Sequence, residues 1–246
     1  MSERSPAERA LDFVVEHGDA LAAARARALV TKGASGAVLE LLGEGSHAAD
    51  LARRQHLIWL CTDCGLLASP LARALCTDLA ATQHEDGAWR LRGASTDEAL
   101  RSTGMIAGCL ARSPFARPET LDAAGDYLAR YWDPDRVSNG RLADLRAYAF
   151  FFANAGHERG DEVLQWCGRE LERGFRTQTF DSIATLRVLI DCDAHSLPGA
   201  RFEPGELLVA LLTEQARDGS FGRSGDRALR VESTLDGLHA LQRFQR

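Results

Sequence analysis

Residues 79–89 read LAATQHEDGAW and residues 211–222 read LLTEQARDGSFG. Each spells Gln-x-x-Asp-Gly-x-aromatic at the end of an apolar, helix-like run, and Gln83 and Gln215 lie 132 positions apart. Three intervals of 44 residues account for that spacing, the period of a stacked helical-hairpin repeat. Asp-Gly reverses a chain cheaply, because glycine accepts a positive φ and aspartate binds nearby amides. The aromatic then covers the junction, and the glutamine amide satisfies backbone groups at a neighbouring helix end.

Outward from these turns the signals are helical. Alternating β-branched runs do not occur, while Ala, Leu, Arg and Glu fill the long segments. Ser5-Pro6-Ala7-Glu8 reads as an N-cap, a first-position proline and a capping-box acid. Between glycine-containing breaks the pattern predicts helices near 6–16, 20–32, 36–43, 47–64, 70–83, 96–112, 118–132, 141–155, 160–173, 178–191, 205–217 and 231–244. From residue 36 they form five pairs whose second members begin near 47, 96, 141, 178 and 231. Residues 1–35 are then N-terminal helices packed on the helix pairs of residues 36–246, the two together making a single domain.

The bulk numbers narrow the function classes. A formal charge of −6 with no long basic cluster argues against nucleic acid. No apolar run approaches eighteen residues, so no membrane span is expected, and the charged start MSERSPAERALDF has no signal-peptide core. Six cysteines scattered through apolar stretches suit a reducing cytoplasm, and Cys61-x-x-Cys64 reads as buried structural thiols.

An acid near the start of each second-member helix supplies a register. Steps of four and seven residues give the stripes Asp50, Arg54, Leu57; Asp97, Arg101, Gly104; Asp144, Tyr148, Phe151; Asp181, Thr185, Val188; and Glu232, Asp236, His239. Preference of acids for helix N-termini also explains their placement. On this register Asp236 and His239 form a carboxylate–imidazole pair, the arrangement of a general base. Arg101 is placed to clamp a substrate carboxylate or phosphate, Tyr148 to donate a proton, and Asp97 completes the catalytic candidates. Asp144, Phe151, Asp181, Thr185, Glu232 and Arg54 are the candidate substrate-binding residues. A structural pairing of Asp236 with Arg101, with His239 a satisfied polar residue, stays open. The rival face Gln55, His56, Trp59, Asp63 is turned away from the stripe, which makes Trp59 an anchor to the outer helix. Arg187 falls on the buried side with no role.

The two Gln-x-x-Asp-Gly-x-aromatic turns, followed by Ser95-Thr96-x-x-Ala99-Leu100 and Glu232-Ser233-Thr234-x-x-Gly237-Leu238, resemble the glutamine–tryptophan repeats of the squalene-cyclase and protein-prenyltransferase superfamily. YLARYWDPDRVSNG at 127–140 is similar to a degenerate copy. The resemblance implies an all-α fold, an α/α toroid of five to six helical hairpins around a central cavity. It also implies a terpene cyclase-like or prenyltransferase-like biosynthetic enzyme. The class II cyclase acid motif aligns with Ala94–Leu100, but Thr96 stands where the proton donor belongs and only Asp97 remains. The zinc ligands of prenyltransferases are approached by Asp191, Cys192, Asp193, His195 and His239; Asp191, Asp193 and His195 can converge from one tight turn, but His239 sits about two turns inside another helix, and no aspartate-rich diphosphate motif exists. The expectation is therefore a cyclase, isomerase or lyase working by acid–base chemistry on a small molecule, with no metal and no cofactor. The competing expectation is a non-catalytic toroid that binds a small molecule or a protein partner. Neither substrate nor oligomeric state is specified.

Overall fold

In the computed structural model the chain is described over residues 4–31, 35–43, 50–222 and 224–245. The described residues form twelve α-helices and a single 3-10 turn, with no strand. The helices are α1 (Pro6–His17), α2 (Ala20–Val30), α3 (Ser35–Gly43), α4 (Leu51–Asp63), α5 (Pro70–Ala81) and α6 (Thr96–Ala111). They continue with α7 (Pro118–Arg130), α8 (Leu142–Asn154), α9 (Gly160–Arg176), α10 (Ser182–Asp191), α11 (Pro204–Glu214) and α12 (Arg227–Phe244). The expected start of α4 near 47 falls at residues outside the described set. Elsewhere the starts agree within about four residues, as boundary signals allow.

Local chemistry sets the ends. Ser5 with Glu8 and Ser95 with Glu98 close capping boxes, and Asp50, Ser69 and Asp181 cap α4, α5 and α10 with their side chains. Prolines 6, 70, 118 and 204 open α1, α5, α7 and α11, where a missing N–H costs nothing.

The packing follows parity. α4 touches α6, α6 touches α8, α8 touches α10, α10 touches α12, and α12 touches α2. The odd-numbered helices pack against these: α5 on α4, α7 on α6, α9 on α8, α11 on α10, and α1 on both α12 and α2. The sequence expectation put Gly104 on the open stripe of α6. Instead a Cβ there would lie 2.5 Å from the Ala147 carbonyl, so Gly104 is the point where α6 and α8 come closest.

The two quoted turns are built alike, bond for bond. Gln83 Nε2 donates to the carbonyls of Gly87 and Thr120, and Gln215 Nε2 to those of Gly219 and Pro6, all at 2.9 Å. The amide of Trp89 meets Thr103 Oγ1 at 3.0 Å and that of Phe221 meets Thr234 Oγ1 at 2.9 Å. Both aromatics are fully buried. Gly87 and Gly219 have φ of 92° and 89°, and a Cβ on either would strike a neighbouring carbonyl, that of Ala123 in α7 or Arg9 in α1. The first turn thus seats the start of α7 and the second seats the start of α1. Arg9 adds a 2.6 Å bond back to Gln215. Residues that the sequence placed in a separate N-terminal layer are joined to the far end of the chain by the same contact that joins neighbours in its middle.

Candidate functional site

Charged side chains from five helices meet between the even-numbered helices. Arg187 of α10 is the hub: it binds Asp63 of α4 at 2.6 Å, Asp191 at 2.6 Å and Asp236 of α12 at 3.2 Å, with 5% of its side chain exposed. Arg25 of α2 binds Asp63 at 3.3 Å and Glu232 at 3.0 Å. Arg146 of α8 binds Asp191 at 2.5 Å. His239 Nδ1 stands 3.1 Å from Asp63 Oδ1. The indole of Trp59 lies among the cations, with the guanidinium carbons of Arg187, Arg25 and Arg146 at 5.0, 5.6 and 5.9 Å from its centroid. Three arginines therefore face four carboxylates around one aromatic ring.

A buried ion stays charged only when its partners outweigh its lost hydration. Burial opposes ionisation of Asp63, but Arg187 foremost, then His239 and Arg25, hold its carboxyl well below the usual range. Burial likewise opposes the charge on Arg187, and Asp191, Asp63 and Asp236 together keep it well above its ordinary value. Asp236 goes the other way. Enclosure by protein, reinforced by the neighbouring Asp63 charge, raises its carboxyl against the pull of Arg187. The Asp236 side chain is nevertheless 27% open, unlike Asp63 and Arg187.

A cavity of about 210 Å³ opens beside this cluster, where α4, α10 and α12 approach their C-termini. Asp63, Arg187 and His239 line it, joined by Arg112 and Arg243. Arg243 pairs with Asp193 at 2.6 Å. The Asp63 carboxylate, being ionised, accepts the Nδ1 proton of His239, with Nδ1 3.1 Å from Oδ1. Nε2 has no hydrogen-bond partner among the described residues. This is the orientation a general base requires.

The residues expected from the sequence are distributed differently. Asp236 and His239 do share a face of α12, but they do not pair: His239 takes Asp63 and Asp236 takes Arg187. Nor does Arg101 pair with Asp236; it binds Asp144 at 2.6 Å, and that bond raises the Arg101 guanidinium. Arg141 bridges Asp144 and Asp97, each at 2.7 Å. Arg136 and then Arg141 hold Asp97 below the usual carboxylate range. Those residues form a separate ion network at the starts of α6 and α8, with no ion pair to the Asp63 cluster among the described residues. Tyr148 is 1% exposed, packs on Trp132 and Phe152, and donates to the Leu128 carbonyl at 3.4 Å; burial pushes its hydroxyl up. Phe151 is buried against Phe152, and Thr185 is buried and bonds the Asp181 carbonyl at 2.8 Å. Asp181 caps α10, Glu232 holds Arg25, and Arg54 is half-buried on α4.

The register failed at Trp59 and Arg187. Trp59 and Asp63 both meet Arg187, so Gln55, His56, Trp59 and Asp63 lie on the side of α4 turned toward the cluster. Arg187 is buried because it neutralises three carboxylates. The available signal was charge: an Arg187-x-x-x-Asp191 pair inside an otherwise apolar helix marks a buried ion pair needing further partners.

Among the described residues no three His, Cys, Asp or Glu side chains are arranged to hold a metal ion. Asp191 is committed to arginines, Cys192 is a buried thiol pushed well up by burial, and His195 lies edge-on to Phe244. Cys61 and Cys64 are free thiols, both pushed up to about 12 by burial. Among the described residues no helix is long and apolar enough to cross a membrane. Compared with protein-family models, curated proteins and solved structures, the chain matches none.

Proposed function

We propose that this chain is an α/α toroid enzyme, an isomerase or lyase that removes a proton from a small anionic substrate in the cavity beside His239. The toroid reading rests on the parity of the helix contacts and on the turn at Gln215, which seats α1 as the turn at Gln83 seats α7. α2 would then be the sixth inner helix, and Arg25, bound to Asp63 and Glu232, would close the ring between α12 and α4. The resemblance to terpene cyclase-like proteins supports the same architecture. The cavity wall holds three guanidiniums beside the carboxylates of Asp63 and Asp193, a charged lining that suits a carboxylate or phosphate better than an apolar polyene.

One observation carries the reading: the Asp63–His239 contact in an arginine-lined cavity. Nε2 of His239 would accept a proton from a carbon next to the substrate's carboxylate or carbonyl. Arg112, Arg187 and Arg243 would stabilise the negative charge that the departing proton leaves behind. Returning the proton to a different carbon completes an isomerisation; loss of a leaving group from the adjacent carbon completes an elimination. No redox cofactor enters either balance.

The experiment is to incubate the protein with pools of small carboxylates and phosphates in deuterated water and follow solvent deuterium into carbon by mass spectrometry. Exchange in the wild type that falls about 10²–10⁴-fold in His239→Gln supports the base. A ligand that binds in the cavity without exchange, equally in both proteins, would replace the enzyme with a binding toroid.

A further inference from the structure

A second cavity of about 360 Å³ lies on the opposite side of Trp59, between the first half of α4, α6 and α8, lined by Ala52, Gln55, His56, Trp59, Met105 and Arg146. Its wall contains no carboxylate. Arg146 spends its Nε on Asp191, a carboxylate it shares with Arg187, and its two terminal nitrogens make no hydrogen bond among the described residues. The side chains of Gln55 and His56 make none either, and His56 stacks on Trp59 at 6.1 Å. Burial, helped by Arg53 and Arg25, lowers the His56 imidazole and favours its neutral form, which can still donate. The indole N–H of Trp59 is enclosed with no acceptor. The polar wall thus holds one cation, Arg146, beside the Gln55 amide and the His56 ring, each of which can donate, and the rest of it is the thioether of Met105 and the methyl of Ala52.

We propose that this cavity binds a small monocarboxylate with an apolar body, at a site separate from the His239 cavity. The carboxylate takes the free nitrogens of Arg146 and the Gln55 amide, and the body lies along Met105 and Ala52. A dianion is disfavoured, because one partly compensated guanidinium offers charge for only one carboxylate. The proposal does not depend on His239 being a base, since the side chains of this site and that one are different.

The test uses benzoate and its neutral isostere benzyl alcohol as probes, with isothermal titration calorimetry on the full chain. Benzoate should bind with Kd of about 1 mM or tighter, corresponding to about 4 kcal/mol, and benzyl alcohol at least about tenfold more weakly. Arg146→Gln should weaken benzoate by at least about tenfold. Met105→Trp keeps every charge and fills the cavity, and it should abolish binding even if Arg146→Gln proves unstable. His239→Gln should leave the affinity unchanged. Equal affinity for the two probes, or benzoate binding that survives Met105→Trp, overturns the proposal. Binding lost only in His239→Gln assigns the anion to the other cavity and overturns it equally, whatever deuterium exchange shows.

Discussion

The turns at 83–89 and 215–221 and the cluster around Asp63 hold the molecule together by opposite means. A turn is neutral at its heart: a glutamine amide, a threonine hydroxyl and backbone groups, all bonded within a few residues or to one adjoining helix. The cluster is ionic, and nearly every bond in it crosses between helices far apart in sequence, up to 207 residues for Arg25 and Glu232. The turns repeat because each solves the same local problem of reversing a chain between packed helices. The cluster cannot repeat, because each helix brings a different part of one charge set. What recurs is structural and what occurs once is the candidate for chemistry.

The comparison breaks first at Arg187. Replacing it with Met leaves Asp63, Asp191 and Asp236 facing each other without their shared cation, and stability in urea titration should fall by about 5 kcal/mol, the upper end for a broken buried pair. A loss under about 1 kcal/mol would mean that water reaches the cluster freely and its charges are not coupled.

Next come the aromatic plugs. Trp89→Ala and Phe221→Ala should each cost about 3–5 kcal/mol, since both rings are fully enclosed. Losses under about 1 kcal/mol at both would make the turns incidental to stability.

A smaller effect sharpens the comparison between the two turns themselves. Gln83→Leu releases α7 and Gln215→Leu releases α1, each stripping two backbone acceptors of a donor, at about 1–3 kcal/mol. If α1 completes a ring as α7 continues it, the Gln215 loss should be at least as large as the Gln83 loss, since Gln215 also accepts from Arg9. A Gln215 variant with unchanged stability would make α1 an appendage.

The smallest effect separates the regions by pH. Asp63 is held below its ordinary value, so its stabilising contribution is full above about pH 4 and is lost as pH falls toward its folded-state value. Asp63→Asn should therefore flatten the acid limb of the stability curve below about pH 4. Asp86→Asn, which removes a half-buried carboxyl also held below its ordinary value but paired with a single arginine, should flatten that limb less. Identical limbs in both variants would contradict the assigned role of Asp63.

These differences explain what could be read from the sequence. Helix type and most boundaries were legible at Ser5, Ser95, Asp50 and Asp181, because a cap is a contact between residues three apart. The turns were legible for the same reason. The inward face was not. Asp50 and Asp181 are caps, whereas Asp97 and Asp144 lie inside the first turn, so acids at helix starts mark an axial position and not a direction around the axis. Counting from them placed Asp236 and His239 on the correct side of α12 but turned α4 and α10 away, and so missed Asp63, Trp59 and Arg187. Those residues are recognised only once α2, α4, α10 and α12 are brought together, since no local pattern pairs Asp63 with a histidine 176 residues later.

The most direct test of the account is the protonation pattern of the His239 ring, read from nitrogen-15 correlation spectra near neutral pH. An ionised Asp63 as acceptor for Nδ1–H predicts that the ring, when neutral, carries its proton on Nδ1 with Nε2 bare, changing toward the commoner Nε2–H form in Asp63→Asn. An Nε2–H tautomer in the wild type, unaffected by Asp63→Asn, would contradict it and leave His239 without the orientation on which the proposed base depends.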